Sequence, residues 1–123
     1  MPSINRVQLA GHLGKDPETK AASTGMTITT FSMATSRKKK DGEEVTQWHN
    51  VKLFGKVAEI AQERLKKGSG VYVEGMLETR SYEKDGQKHW FTEVLANIML
   101  PIERVNHKDD AKKEDANGDD LPF

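Results

Sequence analysis

The chain has 123 residues, 35% of them hydrophobic and 31% charged, with no cysteine and a formal net charge of zero. That composition suits one small domain with a modest core, and it excludes disulfides and thiolate metal sites. No apolar run of about 18 residues exists to span a membrane as a helix.

In chain order, "NRVQLAGHL" (5–13) alternates Val7, Leu9, Gly11 and Leu13 with polar neighbours, which predicts a strand with one buried face. The stretch 14–25, with Asp16-Pro17 and a small polar run closed by Gly25, reads as turn material. Residues 26–36, rich in Thr, Ile and Phe, predict a second strand; the apolar phase switches between Ile28 and Phe31, which suggests a bulge. "RKKKDGEEV" (37–45) reads as a charged loop turning at Asp41-Gly42. Residues 46–55 alternate cleanly, with Trp48, Asn50, Lys52 and Phe54 on one face and His49, Val51 and Leu53 on the other. A helix over 56–67 carries Val57, Ile60, Ala61 and Leu65 on one stripe and stops at Gly68. Strands over 70–82 and 89–100 flank Asp85-Gly86, a strong hairpin signal, and Pro101 ends the pattern. Five strands with one helix between strands 3 and 4 suit an all-β OB-fold barrel, although periodicity alone leaves other small barrels open.

Two groups of residues point to function. Trp48 and Phe54 sit on the polar face of their strand, opposite the apolar residues. Tyr82 alternates with Arg80, and Trp90 and Phe91 lie across the hairpin turn. Aromatics interleaved with cations suit single-stranded nucleic acid, whose bases stack on rings while phosphates meet Lys and Arg. The alternative is that these rings fill the barrel or an oligomer contact. The run Arg37, Lys38, Lys39, Lys40 joins the two strands of the aromatic face and could clamp phosphates; Lys52 shares that face, and Lys56, Lys66, Lys67, Lys84 and Lys88 are weaker candidates. Enzymatic signals are missing: there is no cysteine nucleophile, P-loop, G-x-S-x-G or metal-ligand histidine spacing, so neither catalysis, a metal nor a cofactor is expected.

The zero net charge conceals an asymmetry. Residues 1–105 hold 16 basic and 13 acidic side chains, residues 106–123 hold 3 and 6. A mildly basic body with an acidic tail is a partner signal. The tail is expected to be disordered over 106–118, because nothing in it can offset the entropy of ordering. It ends in "DDLPF", where Leu121, Pro122 and Phe123 follow Asp119 and Asp120. An apolar tip beside carboxylates reads as a docking peptide for a basic-rimmed pocket. The N-terminal stretch lacks the charge and apolar pattern of a signal peptide, and the absence of cysteine agrees with a reducing cytoplasm.

These motifs together closely resemble the bacterial single-stranded DNA-binding (SSB) family of OB-folds. "NRVQLAGHLGKDPE", "FSMATS" and "WHNVKLFGKVAEIAQERLKKGSGVYVEG" cover residues 5–100 almost continuously, and the tip resembles the family's Asp-Asp-Ile-Pro-Phe ending with Leu121 in place of Ile. The resemblance implies a cytoplasmic, nucleoid-associated homo-oligomer, usually a tetramer. It would coat single-stranded DNA (ssDNA) with little sequence preference in replication, recombination and repair. Trp48, Phe54 and Tyr82 match the stacking aromatics, and Trp90 falls where an aromatic is common beyond the hairpin. Arg6, Lys56, Lys67 and Arg80 match basic positions on the DNA path. His49 matches a subunit contact, and residues 119–123 match the segment that recruits partner enzymes. Two features depart from the family: Lys39 stands about where a further stacking Trp is frequent, and the linker is short and charged.

Overall fold

A computed structural model describes residues 2–102. The expected linker over 106–118 and the expected docking tip over 119–123 lie outside the described residues. Six strands and one helix follow in the order β1 (Val7–Leu13), β2 (Glu18–Ala21), β3 (Thr27–Lys38), β4 (Glu44–Phe54), α1 (Lys56–Arg64), β5 (Gly70–Lys84) and β6 (Gln87–Ile102). β1 pairs antiparallel with both β3 and β5, β5 with β6, and β3 with β4. A short parallel pairing of β4 with β6 closes the ring. The result is the expected five-stranded barrel, with its helix between the third and fourth barrel strands.

The inward residues of each strand make the core: Leu13, Phe31 and Met33, Val51 and Leu53, Val71 and Val73, Val94, Ala96 and Met99. α1 lies against it through Ala58 and Ala61, and Leu65 follows them inward. The buried stripe is therefore Ala58, Ala61 and Leu65; Ile60, expected inside, is exposed. Two alanines three residues apart let the helix backbone come close. The helix is also shorter than expected. Leu65 leaves helical geometry at φ −107°, ψ 149°, and Lys66 and Lys67 fall in the turn that delivers the chain to β5. The Leu13 N–H bonds the Ser69 carbonyl at 3.0 Å and the Gly68 N–H bonds the Leu13 carbonyl at 3.0 Å, tying that turn to β1.

Other expectations also need correction. β2 lies within the stretch read as turn material and pairs with residues Thr27 to Thr30 of β3. The bulge between Ile28 and Phe31 does not exist, because the β3–β4 register runs unbroken from Ile28↔Phe54 to Lys38↔Glu44. The apolar phase switches there because the inward position is Thr29, a polar residue that is fully buried. Its hydroxyl donates to the Ala58 carbonyl at 2.8 Å, which leaves the Thr19 hydroxyl, at 3.0 Å, to donate to it. The irregularity lies instead between Glu74 and Gly75 of β5. A side chain at Gly75 would stand 2.0 Å from the Leu95 carbonyl oxygen, so only glycine permits this approach of the two strands. Arg37 and Lys38 are strand rather than loop, and β6 continues through Pro101 to Ile102. Pro101 is tolerated because this end of β6 pairs on one side only, with β5.

Thr29 links β2, β3 and α1 through one hydroxyl. Thr29→Val keeps the shape and strands the Thr19 donor, so it is expected to destabilise the fold by about 1–2 kcal/mol. Urea unfolding checks this: the midpoint should fall with an unchanged slope.

Candidate nucleic-acid interface

The alternation of β4 dictates what faces out. Val51 and Leu53 enter the core, so Trp48, Asn50, Lys52 and Phe54 must take the other face. Trp48 is 59% exposed and Phe54 41%. Neither ring fills the barrel. Trp48 nonetheless has a defined seat, for a Cβ added at Gly14 would meet its ring at 2.5 Å. Glycine there lets the indole lie directly on the backbone of the loop after β1. Trp48 and Phe54 are separated by six residues of strand, about 20 Å.

Beyond the barrel, β5 and β6 extend as a two-stranded arm. Asp85 and Gly86, both at positive φ (54° and 74°), form its two-residue turn. The turn fixes the register: Lys84↔Gln87, Tyr82↔His89, Arg80↔Phe91 and Glu78↔Glu93. Residues opposite one another share a face, so Arg80, Tyr82, His89, Phe91 and Glu93 lie on one side of the arm. Trp90, opposite Ser81, lies on the other side, away from Tyr82 and Arg80. Tyr82 stacks on His89 with ring centroids 5.4 Å apart and planes inclined by 22°.

Between the arm and the barrel wall runs a groove of about 440 Å³, whose lining includes Asn50, Lys52, Arg80, Phe91 and Glu93. The Arg80 guanidinium lies 5.3 Å from the Phe91 ring centre, and Lys52 Nζ lies 5.9 Å from that of Phe54. Lys15, Asp16, Glu18 and Lys20, from β2 and the loop before it, also line it. Phe54 does not line this groove; it borders a separate one of about 520 Å³ with Arg6, Met76 and Leu95. Arg6 is paired there with Glu74 at 3.3 Å.

The remaining cations are dispersed. Lys38 shares the Trp48 face of the β3–β4 hairpin and Arg37 takes the opposite one. Lys39 pairs with Glu43 at 3.7 Å across the hairpin turn, both exposed, a contact worth little in water. Lys40 lies in the same turn, Lys56 opens α1, Lys67 lies past its end and Lys84 stands at the tip of the arm. The structure thus brings Lys52, Phe54 and Arg80 together, carries Tyr82 outward along the same arm face, and sets Trp90 apart.

The single-strand binding protein family model matches residues 4–102. The chain belongs to that family. Among relatives, the single-stranded DNA-binding proteins of Xylella fastidiosa and of Xanthomonas campestris pv. campestris are each 50% identical over 101 residues. These alignments take in 78% of this chain and 62% and 59% of those proteins, so the chain spans about three fifths of the curated relatives it matches. A Plasmodium falciparum SSB solved in complex with ssDNA superposes with a TM-score of 0.78 at 28% identity. That match covers 84% of this chain and 98% of the other.

Within this family member, Phe91 lines the groove, although it is not among the expected stacking aromatics. The signal was available. Counting outward from a two-residue turn at Asp85-Gly86 pairs Arg80 with Phe91, and neighbours Trp90 and Phe91 must take opposite faces. The same count sets His89 opposite Tyr82, whereas the contact of Glu93 with Lys52 needed the tertiary structure.

His49, expected at a subunit contact, points to the inner side of β4 and is half-buried, with Nε2 2.9 Å from Thr35 Oγ1. Burial pushes its pKa below the ordinary 6.5. The unfolded chain therefore takes up this proton more readily than the folded one, and stability falls as pH drops through that value. Unfolding at about pH 7.5 and about pH 5 should show a larger loss for the native protein than for His49→Gln. Equal losses would remove His49 from the pH response.

Proposed function

We propose that this protein is a non-enzymatic, sequence-tolerant ssDNA-binding protein. One observation carries the reading: Trp48, Phe54, Tyr82 and Phe91 are held outside a filled barrel, with Lys52 over Phe54 and Arg80 over Phe91. A base offers a flat ring to each aromatic and a phosphate to each cation, and neither contact reads sequence. Family membership and the ssDNA in the Plasmodium falciparum complex support it. The strand would follow the β4 face past Trp48 and the groove, then the arm face of Tyr82. Arg6, Arg37, Lys38, Lys39, Lys40, Lys56, Lys67 and Lys84 would add a diffuse positive field for the phosphates, and Trp90 a stacking surface on the reverse of the arm.

The reading extends to assembly and partners. Ile98, Leu100 and Ile102 are exposed in alternate positions of β6, next to Tyr72 of β5 and Ala10 of β1. A sheet face of this kind suits burial against a second copy, and a homotetramer with His49 near a subunit contact is the assembly proposed. The tip Asp119–Phe123 would recruit replication, recombination and repair enzymes in the cytoplasm, leaving DNA to the barrel.

Titration with poly(dT) tests the binding claim through tryptophan fluorescence, alongside native mass measurement. Trp48→Ala and Phe54→Ala are each expected to weaken binding by about 1–3 kcal/mol. An unchanged affinity in both would place these rings outside the DNA path. Deleting Phe123 should leave poly(dT) affinity intact while abolishing capture of a family partner enzyme; lost DNA affinity would contradict the division of labour.

A further inference from the structure

Glu93 is out of place in a surface built for phosphates. Its side chain is only 5% exposed, and a single oxygen, Oε1, engages Arg80 Nη2 at 2.9 Å and Lys52 Nζ at 3.8 Å. The cations are more open than the anion: the Arg80 side chain is 52% exposed and that of Lys52 27%. Each therefore has one side turned to Glu93 and another to the groove both line. They are also the two cations that lie over Phe91 and Phe54, so one carboxylate oxygen joins two aromatic–cation pairs across β4, β5 and β6.

Two consequences follow from charge. A carboxylate this buried needs charged partners close by, since an unpaired charge there would be costly. And the three groups together present one net positive charge to the groove, not two. The other carboxylates on the groove do not share this role. Asp16 Oδ1 accepts the Lys67 backbone N–H at 2.8 Å, and Glu18 is exposed on β2.

We propose that Glu93 is an internal counter-anion: it occupies Arg80 and Lys52 in the free protein and competes with strand phosphates for them. It thereby holds affinity below what the two cations alone would give and keeps the strand easy to release. The inference rests on the ssDNA reading above. Arg80 and Lys52 are shared between Glu93 and phosphate in the complex, so each contributes less than a full counterion release.

The test compares native protein and Glu93→Gln binding to a dT oligonucleotide across a salt series, with thermal melting to confirm folding. Glu93→Gln is expected to bind several-fold tighter at low salt. Its plot of log affinity against log salt should be steeper by about 0.7, one added phosphate contact on a single strand. A folded variant that binds equally or more weakly with an unchanged slope overturns the inference. Should the variant not fold, the ¹³C signal of the Glu93 carboxylate in the native protein decides. It is expected to move as the oligonucleotide saturates the protein, and a signal that stays in place at saturation overturns the inference. Native protein that binds no oligonucleotide at all defeats the ssDNA reading itself, which separates the two failures.

Discussion

β4 and β6 run parallel for two register pairs, Val51↔Val94 and Lys52↔Leu95, and the whole surface depends on that short seam. It closes the barrel, so that Val51 and Val94 complete the core from adjacent strands. It also sets Lys52 within reach of Glu93, and through Glu93 of Arg80. The core and the groove are two sides of the same pairing. Because side chains alternate along a strand, a slip of one residue here would turn Val51 and Leu53 outward and bury Lys52. The apolar side forbids the slip, and the polar side inherits its precision.

The arm obeys the same logic with less support. Past the Glu78↔Glu93 pair neither strand has a buried residue, so no core holds the arm's register. The Asp85-Gly86 turn does so instead, together with the hydrogen bond between Thr79 and Thr92 hydroxyls at 2.8 Å. The like charges of Glu78 and Glu93 stand directly opposite one another, an arrangement that cross-strand pairing disfavours. Arg80 on the same face relieves it by bonding Glu93.

Much of this was legible from the chain because its strongest signals are local. Asp41-Gly42 and Asp85-Gly86 mark hairpin turns, and the alternation over Trp48–Phe54 separates core from surface without reference to anything distant. What was illegible depends on partners far along the chain. β2 is four mostly polar residues whose inward contact is one threonine hydroxyl, so it carries no apolar rhythm. The break at Ile28 looked like a bulge because a buried Thr is indistinguishable from an exposed one until Ala58 supplies its acceptor. The helix ended early because Leu65 is required in the core and Leu13 anchors the turn that follows. In the site, the aromatics and cations were visible as types. That Glu93 ties two of the cations together was not, since residues 52, 80 and 93 meet only in the folded barrel.

Gly14 leaves a vacancy the size of a methyl group, and the indole of Trp48 occupies it. An exposed tryptophan on a strand would ordinarily sample several rotamers and surrender them when a flat ligand stacked on it, at a cost of about 0.5–1.5 kcal/mol for a side chain immobilised on binding. With one edge resting on backbone, this ring has already given up much of that freedom during folding. The entropy is lost once, when the barrel forms, rather than at every encounter. An absent side chain on one loop thus sets how readily a ring on a neighbouring strand accepts a partner.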